Sequence, residues 1–86
     1  MTEQQIIDLG FFKVEVPPEV SGNEYYYFYE YEFGDTDFIL LSPANTDIKN
    51  NDWCIEPFNH DGLKIYDYDL LVHFMETINT IMIANK

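Results

Sequence analysis

Basic residues are scarce in this chain: four Lys and Arg stand against sixteen Asp and Glu over 86 residues, a formal net charge of −12. That shortage argues against a surface that tracks phosphate backbones or anionic lipid headgroups, because such surfaces concentrate cations and this one repels polyanions. Cysteine is nearly missing as well. Cys54 alone cannot form an internal disulfide, and no cysteine–histidine cluster exists to hold zinc. Apolar stretches such as 38–41 and 81–84 fall far short of the roughly 18 residues that span a membrane. Residues 1–5 lack the basic region and apolar core of a signal peptide, so the expected location is the cytoplasm. No repeat, linker or low-complexity tract interrupts the sequence, and one domain over 1–86 is expected.

Apolar and aromatic residues are abundant, at 47% and 17% of the chain, which is more than disordered acidic tails carry. Seven Tyr, seven Phe and one Trp give a small domain large units of burial from few positions. The opposing factor is self-repulsion among the carboxylates, screened over about 8 Å at physiological salt, so stability is expected to rise with ionic strength.

Along the chain, 2–9 reads as a short helix with Thr2 as N-cap and Gly10 as its stop. Residues 11–16 alternate, with Phe12, Val14 and Val16 on one side and Lys13 and Glu15 on the other, the pattern of a half-buried strand that Pro17 and Pro18 end. A loop through Ser21, Gly22 and Asn23 follows. The clearest strand covers 24–33: Tyr25, Tyr27, Tyr29, Tyr31 and Phe33 share the face expected in the core, and Glu24, Tyr26, Phe28, Glu30 and Glu32 share the other. A turn at Asp35-Thr36 would pair Phe33 with Phe38 and Tyr31 with Leu40, setting Ile39 and Leu41 beside Glu32 and Glu30. After an exposed loop at 43–52, further strands are expected at 53–58 and 63–66, separated by a His60-Asp61-Gly62 turn. Leu70, Leu71, Phe74, Met75, Ile78, Ile81 and Met82 then recur at helical spacing behind Asp67 as N-cap. The resulting fold class is α+β: an antiparallel sheet of about five strands, a short N-terminal helix, and an amphipathic C-terminal helix packed on one face.

Chemistry-bearing residues are few. The only histidines, His60 and His73, fall into no motif with Cys54 or a serine, and a cysteine between Trp53 and Ile55 in a strand reads as a small buried hydrophobe. No enzymatic activity is expected. Asp35-Thr36-Asp37 and Asp67-Tyr68-Asp69 each offer paired carboxylates, yet neither continues into a calcium loop, and both read as turn and cap residues. No metal or cofactor is expected. A stacking platform for bases would need a basic groove, whereas the aromatic run here neighbours Glu24, Glu30 and Glu32, which disfavours direct nucleic-acid binding.

Rings beside acids suit an interface with a basic protein, the rings serving as buried anchors and the carboxylates meeting Arg or Lys. Tyr26, Phe28, Glu30, Glu32, Asp35 and Asp37 are the candidate binding residues. The competing reading is that another element, such as the N-terminal helix, covers those rings. Scale is compatible with mimicry of a polyanion: a domain of this length spans about 30 Å, a stretch of duplex with roughly 18 phosphates, of the same order as the net charge, while the alternative that the acidity only keeps a small protein soluble needs no partner.

Ile6-Ile7-Asp8-Leu9-Gly10-Phe11, the run from Tyr25 to Tyr31, Asp52-Trp53-Cys54-Ile55, and Asp69-Leu70-Leu71 together resemble small acidic proteins of bacteriophages and mobile elements. The resemblance implies a class that includes inhibitors of host defence, among them anti-CRISPR and anti-restriction proteins that mimic DNA. The expected function is therefore a non-enzymatic acidic inhibitor of a nucleic-acid-binding enzyme. The alternative is a structural or assembly protein that forms a homodimer through an exposed strand face.

Overall fold

Thr2 starts the first helix by a reciprocal cap: its hydroxyl accepts from the Gln5 backbone N–H at 3.2 Å, and Gln5 Oε1 accepts from the Thr2 N–H at 2.9 Å. Helix α1 (Glu3–Asp8) follows, and Gly10 leaves it at a positive φ of 96°. The computed structural model describes residues 1–22, 24–34, 36–60 and 62–84. Strands β1 (Phe12–Val16), β2 (Tyr26–Glu32), β3 (Ile39–Leu41) and β4 (Glu56–Pro57) form one antiparallel sheet in chain order.

Between β1 and β2, the two prolines do more than end a strand. Pro18 occupies the first turn of a four-residue helix α2 (Pro18–Ser21), closed by Gly22 in the left-handed region at φ 79°. The loop expected at 21–23 thus begins inside a helix, and Asn23 lies outside the described residues.

The β2–β3 register is the one the alternation dictates, with Glu30 opposite Leu41, Tyr31 opposite Leu40 and Glu32 opposite Ile39. Its loop differs from a two-residue turn. Thr36 closes it by donating both its backbone N–H and its hydroxyl to the Phe33 carbonyl, at 3.2 and 2.6 Å. β3 is short, and beyond its end side chains take over: the Tyr29 N–H donates to Ser42 Oγ and the Tyr27 N–H to Asn45 Oδ1, each at 2.8 Å. The segment expected to be an exposed loop at 43–52 is therefore tied to the sheet, and it carries a 3-10 turn at Asn45–Asp47.

Among the described residues four strands form where about five were expected. The segment at 63–66 contributes only one bridge, Ile55 to Ile65, with bonds of 2.9 and 2.8 Å. The reasons are local. Pro57 has no N–H to donate, the Leu63 N–H closes a turn onto the His60 carbonyl, and the Trp53 N–H is taken by Met1.

The core lies on one side of the sheet. Tyr29 of β2, Leu40 of β3 and Phe33 just past the end of β2, with Trp53, Ile55 and Ile65, meet Ile6 of α1 and Leu71 and Met75 of the C-terminal helix α3 (Tyr68–Ala84). Asp67 Oδ1 accepts from the Asp69 N–H at 2.9 Å and so caps α3. The buried stripe on α3 is narrower than the spacing implied: Leu70 and Ile81 are 56% and 51% exposed. They flank a line through Leu71, Met75, Ile78 and Met82, whose steps of four, three and four follow the helical period. The molecule extends 44 Å along its longest axis and 27 Å along the next.

Candidate functional site

β2 alternates, so what its odd residues do for the core its even residues do on the opposite side. The register places Phe12, Val14 and Val16 beside Glu30, Phe28 and Tyr26, and Leu41 between Glu30 and Glu56. The apolar alternation of β1 thus points away from the core, and Lys13 and Glu15 lie on the helix side. Both α1 and α3 bury their apolar residues on that helix side, and no residue of the opposite face belongs to the core cluster. Tyr26 and Phe28 are accordingly half-buried by their strand neighbours and not sealed by the N-terminal helix; Phe12 is 47% exposed.

Three carboxylates sit among these rings. Glu30 and Glu32 are two residues apart on one strand, about 7 Å, and Glu30 and Glu56 flank Leu41 across two strand spacings, about 10 Å. Burial raises the Glu30 pKa above its ordinary value, and the charge of Glu32 adds to the rise. Glu56 keeps Oε2 buried with no hydrogen-bond donor. The Ile55–Ile65 bridge sets Lys64 opposite Glu56, the one lysine the register brings to this face among the described residues.

Asp37 stands apart from the face. It is exposed in the β2–β3 loop, where with Phe38, Phe58 and His60 it lines a cleft of about 360 Å³. Asp35 lies outside the described residues. The structure thus brings Tyr26, Phe28, Glu30 and Glu32 together on one surface and leaves Asp37 at its margin.

The other described acidic residues are distributed over the fold, on α1, β1, α2, the 3-10 turn, α3 and the connections between elements. Several of them have structural partners. Glu3 Oε2 accepts from the hydroxyls of Tyr29 and Tyr27 at 2.6 and 3.0 Å, Glu15 accepts from Tyr25 at 2.7 Å, and Asp67 caps α3. Burial raises the Cys54 thiol pKa, with a smaller opposing effect from its hydrogen bond with Tyr66. A thiol kept protonated and enclosed is a poor nucleophile. His60 and His73 are both exposed. Among the described residues no three His, Cys, Asp or Glu side chains gather into a metal-binding group, and no helix is long and apolar enough to cross a membrane.

No protein family, curated protein or solved structure gives a match to this chain. The chemistry of the site rests on its own residues. Sequence reasoning missed Phe12, Val14 and Glu56 as members of the face. The β1–β2 and β3–β4 registers that bring them there depend on long connections, which carry no local pairing signal.

Proposed function

We propose that this chain is a small, non-enzymatic, cytoplasmic binding protein that presents its uncovered sheet face to the cationic surface of a nucleic-acid-binding protein and so blocks that surface. The observation that carries this reading is the face itself: Phe12, Tyr26, Phe28 and Leu41 with Glu30, Glu32 and Glu56 among them, on the side of the sheet opposite the core that α1 and α3 cover. Rings of this kind act as anchors when a partner excludes water, and carboxylates around them select Arg and Lys and speed encounter. The raised pKa of Glu30 fits a surface whose charge is better accommodated once a cation arrives. Charge complementarity favours a basic partner over a second copy on this face, because two such faces would set glutamates against glutamates.

Mimicry of DNA is the narrower form of this proposal. The spread of carboxylates over most elements supplies a general negative field, and the face adds the local pattern. Competition tests both forms. Purified DNA- and RNA-binding nucleases are mixed with labelled duplex, and the protein is added across a salt series. At least one nuclease should release duplex, with the effect fading steeply as salt rises. Glu30→Lys with Glu32→Lys should abolish competition while the fold persists; competition undiminished in that variant overturns the assignment of the face.

A further inference from the structure

β1 is the edge of the sheet, and the hydrogen bonds of β2 fix which of its backbone groups look outward. Tyr29 exchanges bonds with Ser42, and Phe33 donates to Phe38, so the odd residues of β2 direct their N–H and C=O groups toward β3. Its even residues therefore direct theirs toward β1, where they meet Phe12, Val14 and Val16. Lys13 and Glu15 are left with N–H and C=O pointing away from the sheet, and no backbone partner for either exists among the described residues.

We infer that β1 pairs with β1 of a second copy of this chain, antiparallel about a two-fold axis through Val14. The strand is self-complementary in that arrangement. Each Lys13 lies opposite Glu15 of the second copy, so the outward groups meet in two hydrogen-bonded pairs, and each pair sets an ammonium against a carboxylate. Val14 faces its own counterpart, and Phe12 faces Val16. A shift of register by two residues would bring Lys13 opposite Lys13 or Glu15 opposite Glu15, so charge specifies one alignment. Such pairing joins the two sheets edge to edge and leaves both uncovered faces on the same side, doubling the surface proposed above to eight adjacent strands about 34 Å across. It uses an edge and not that face, so it is independent of what the face binds. A five-residue edge buries little area, and the two chains each carry −12, so the dimer is weak and is favoured by salt.

Sedimentation of the full chain from about 5 to about 500 µM, at low and high salt, reads this directly. A dimer should form with concentration and strengthen with salt, the opposite of the salt response of a complex with a basic partner. Lys13→Glu should weaken it at least about tenfold, and Lys13→Glu with Glu15→Lys should restore it. Lys13→Pro deletes an outward N–H while sparing the bonds to β2, and should leave a folded monomer. A single monomeric species throughout, a dimer untouched by Lys13→Pro, or a charge swap that fails to restore pairing in a folded variant overturns the inference. Should the swap variant unfold, Val14→Cys decides. Oxidation should link it into a disulfide dimer while the 75% exposed position of Val20, as Val20→Cys, stays unlinked; equal linking of the two also overturns it.

Discussion

Tyr29 donates its hydroxyl to Glu3 Oε2 at 2.6 Å, joining the central strand to the first turn of α1. Tyr27 reaches the same oxygen at 3.0 Å, and Lys13 Nζ lies 4.2 Å from the centre of the Tyr27 ring. One carboxylate thus serves two tyrosines on the helix side of the sheet, where the rings are packed against Trp53 and their polar ends need an acceptor. α1 has six residues and is too short to persist alone, so this contact and the burial of Ile6 hold it in place.

Glu3→Ala should destabilise the fold by about 1–3 kcal/mol, because it leaves two hydroxyls without their acceptor. Tyr29→Phe removes one donor and should cost less. Chemical denaturation of both variants checks the order, and equal stability of Glu3→Ala and the parent would show that α1 is held by Ile6 alone.

Alkaline unfolding should bear the signature of Tyr29. Burial raises its pKa above the ordinary value of 10.0, and the hydrogen bond to Glu3 raises it further. The folded protein keeps that proton where the unfolded chain releases it. The associated stability is complete below pH about 10 and is lost as pH climbs beyond. Tyr29→Phe should flatten the decline in melting temperature between about pH 9.5 and 11.

Glu30 follows the same sign in the acid range. Its pKa is raised above the usual carboxylate value by burial and by Glu32, so the folded state favours the protonated form, and the stabilising contribution present at acid pH is lost as the group ionises. At neutral pH Glu30→Gln should raise the melting temperature by a few degrees, on the order of 0.5 kcal/mol, while weakening capture of a basic partner. A variant that is both less stable and equally competent in competition would contradict both expectations.

Adjacent leucines on α3 should behave differently. Leu71 is fully buried and Leu70 is 56% exposed, so Leu71→Ala should cost about 2–5 kcal/mol and Leu70→Ala within about 0.5 kcal/mol. Urea titration separates the pair.

Raising ionic strength from about 20 to about 500 mM should increase thermal stability, since screening relieves repulsion among carboxylates that outnumber cations fourfold. A melting temperature that does not move would mean that the distribution of acids over many elements already relieves the strain.

Much of the scaffold is readable from local pattern. The Thr2 cap, the alternation from Tyr25 to Phe33 and the Asp67 cap each depend on residues within a few positions of one another, and the hairpin register follows from the tyrosine face. The site is half legible for the same reason. Tyr26, Phe28, Glu30 and Glu32 share a face by alternation alone, whereas Phe12 and Glu56 join them through pairings set across long connections. The fifth strand failed for a cause no alternation encodes: Pro57, the His60 turn and Met1 take or remove the donors a ladder at 63–66 would need. Leu70 was misplaced because its position beside Leu71 satisfies an apolar count but falls to one side of the helical stripe.

Ser42 and Asn45 have a consequence for how this protein could vary. Past the end of β3 one backbone bond, from the Ser42 N–H to the Tyr29 carbonyl at 2.9 Å, is supplemented by a hydroxyl and a carboxamide, so the width of the sheet at the Tyr27 end is set largely by two small uncharged side chains. Any chain replacing that stretch must keep the N–H that meets the Tyr29 carbonyl and offer acceptors at those two points, whereas loss of either acceptor would expose a tyrosine amide and open the sheet from its hem.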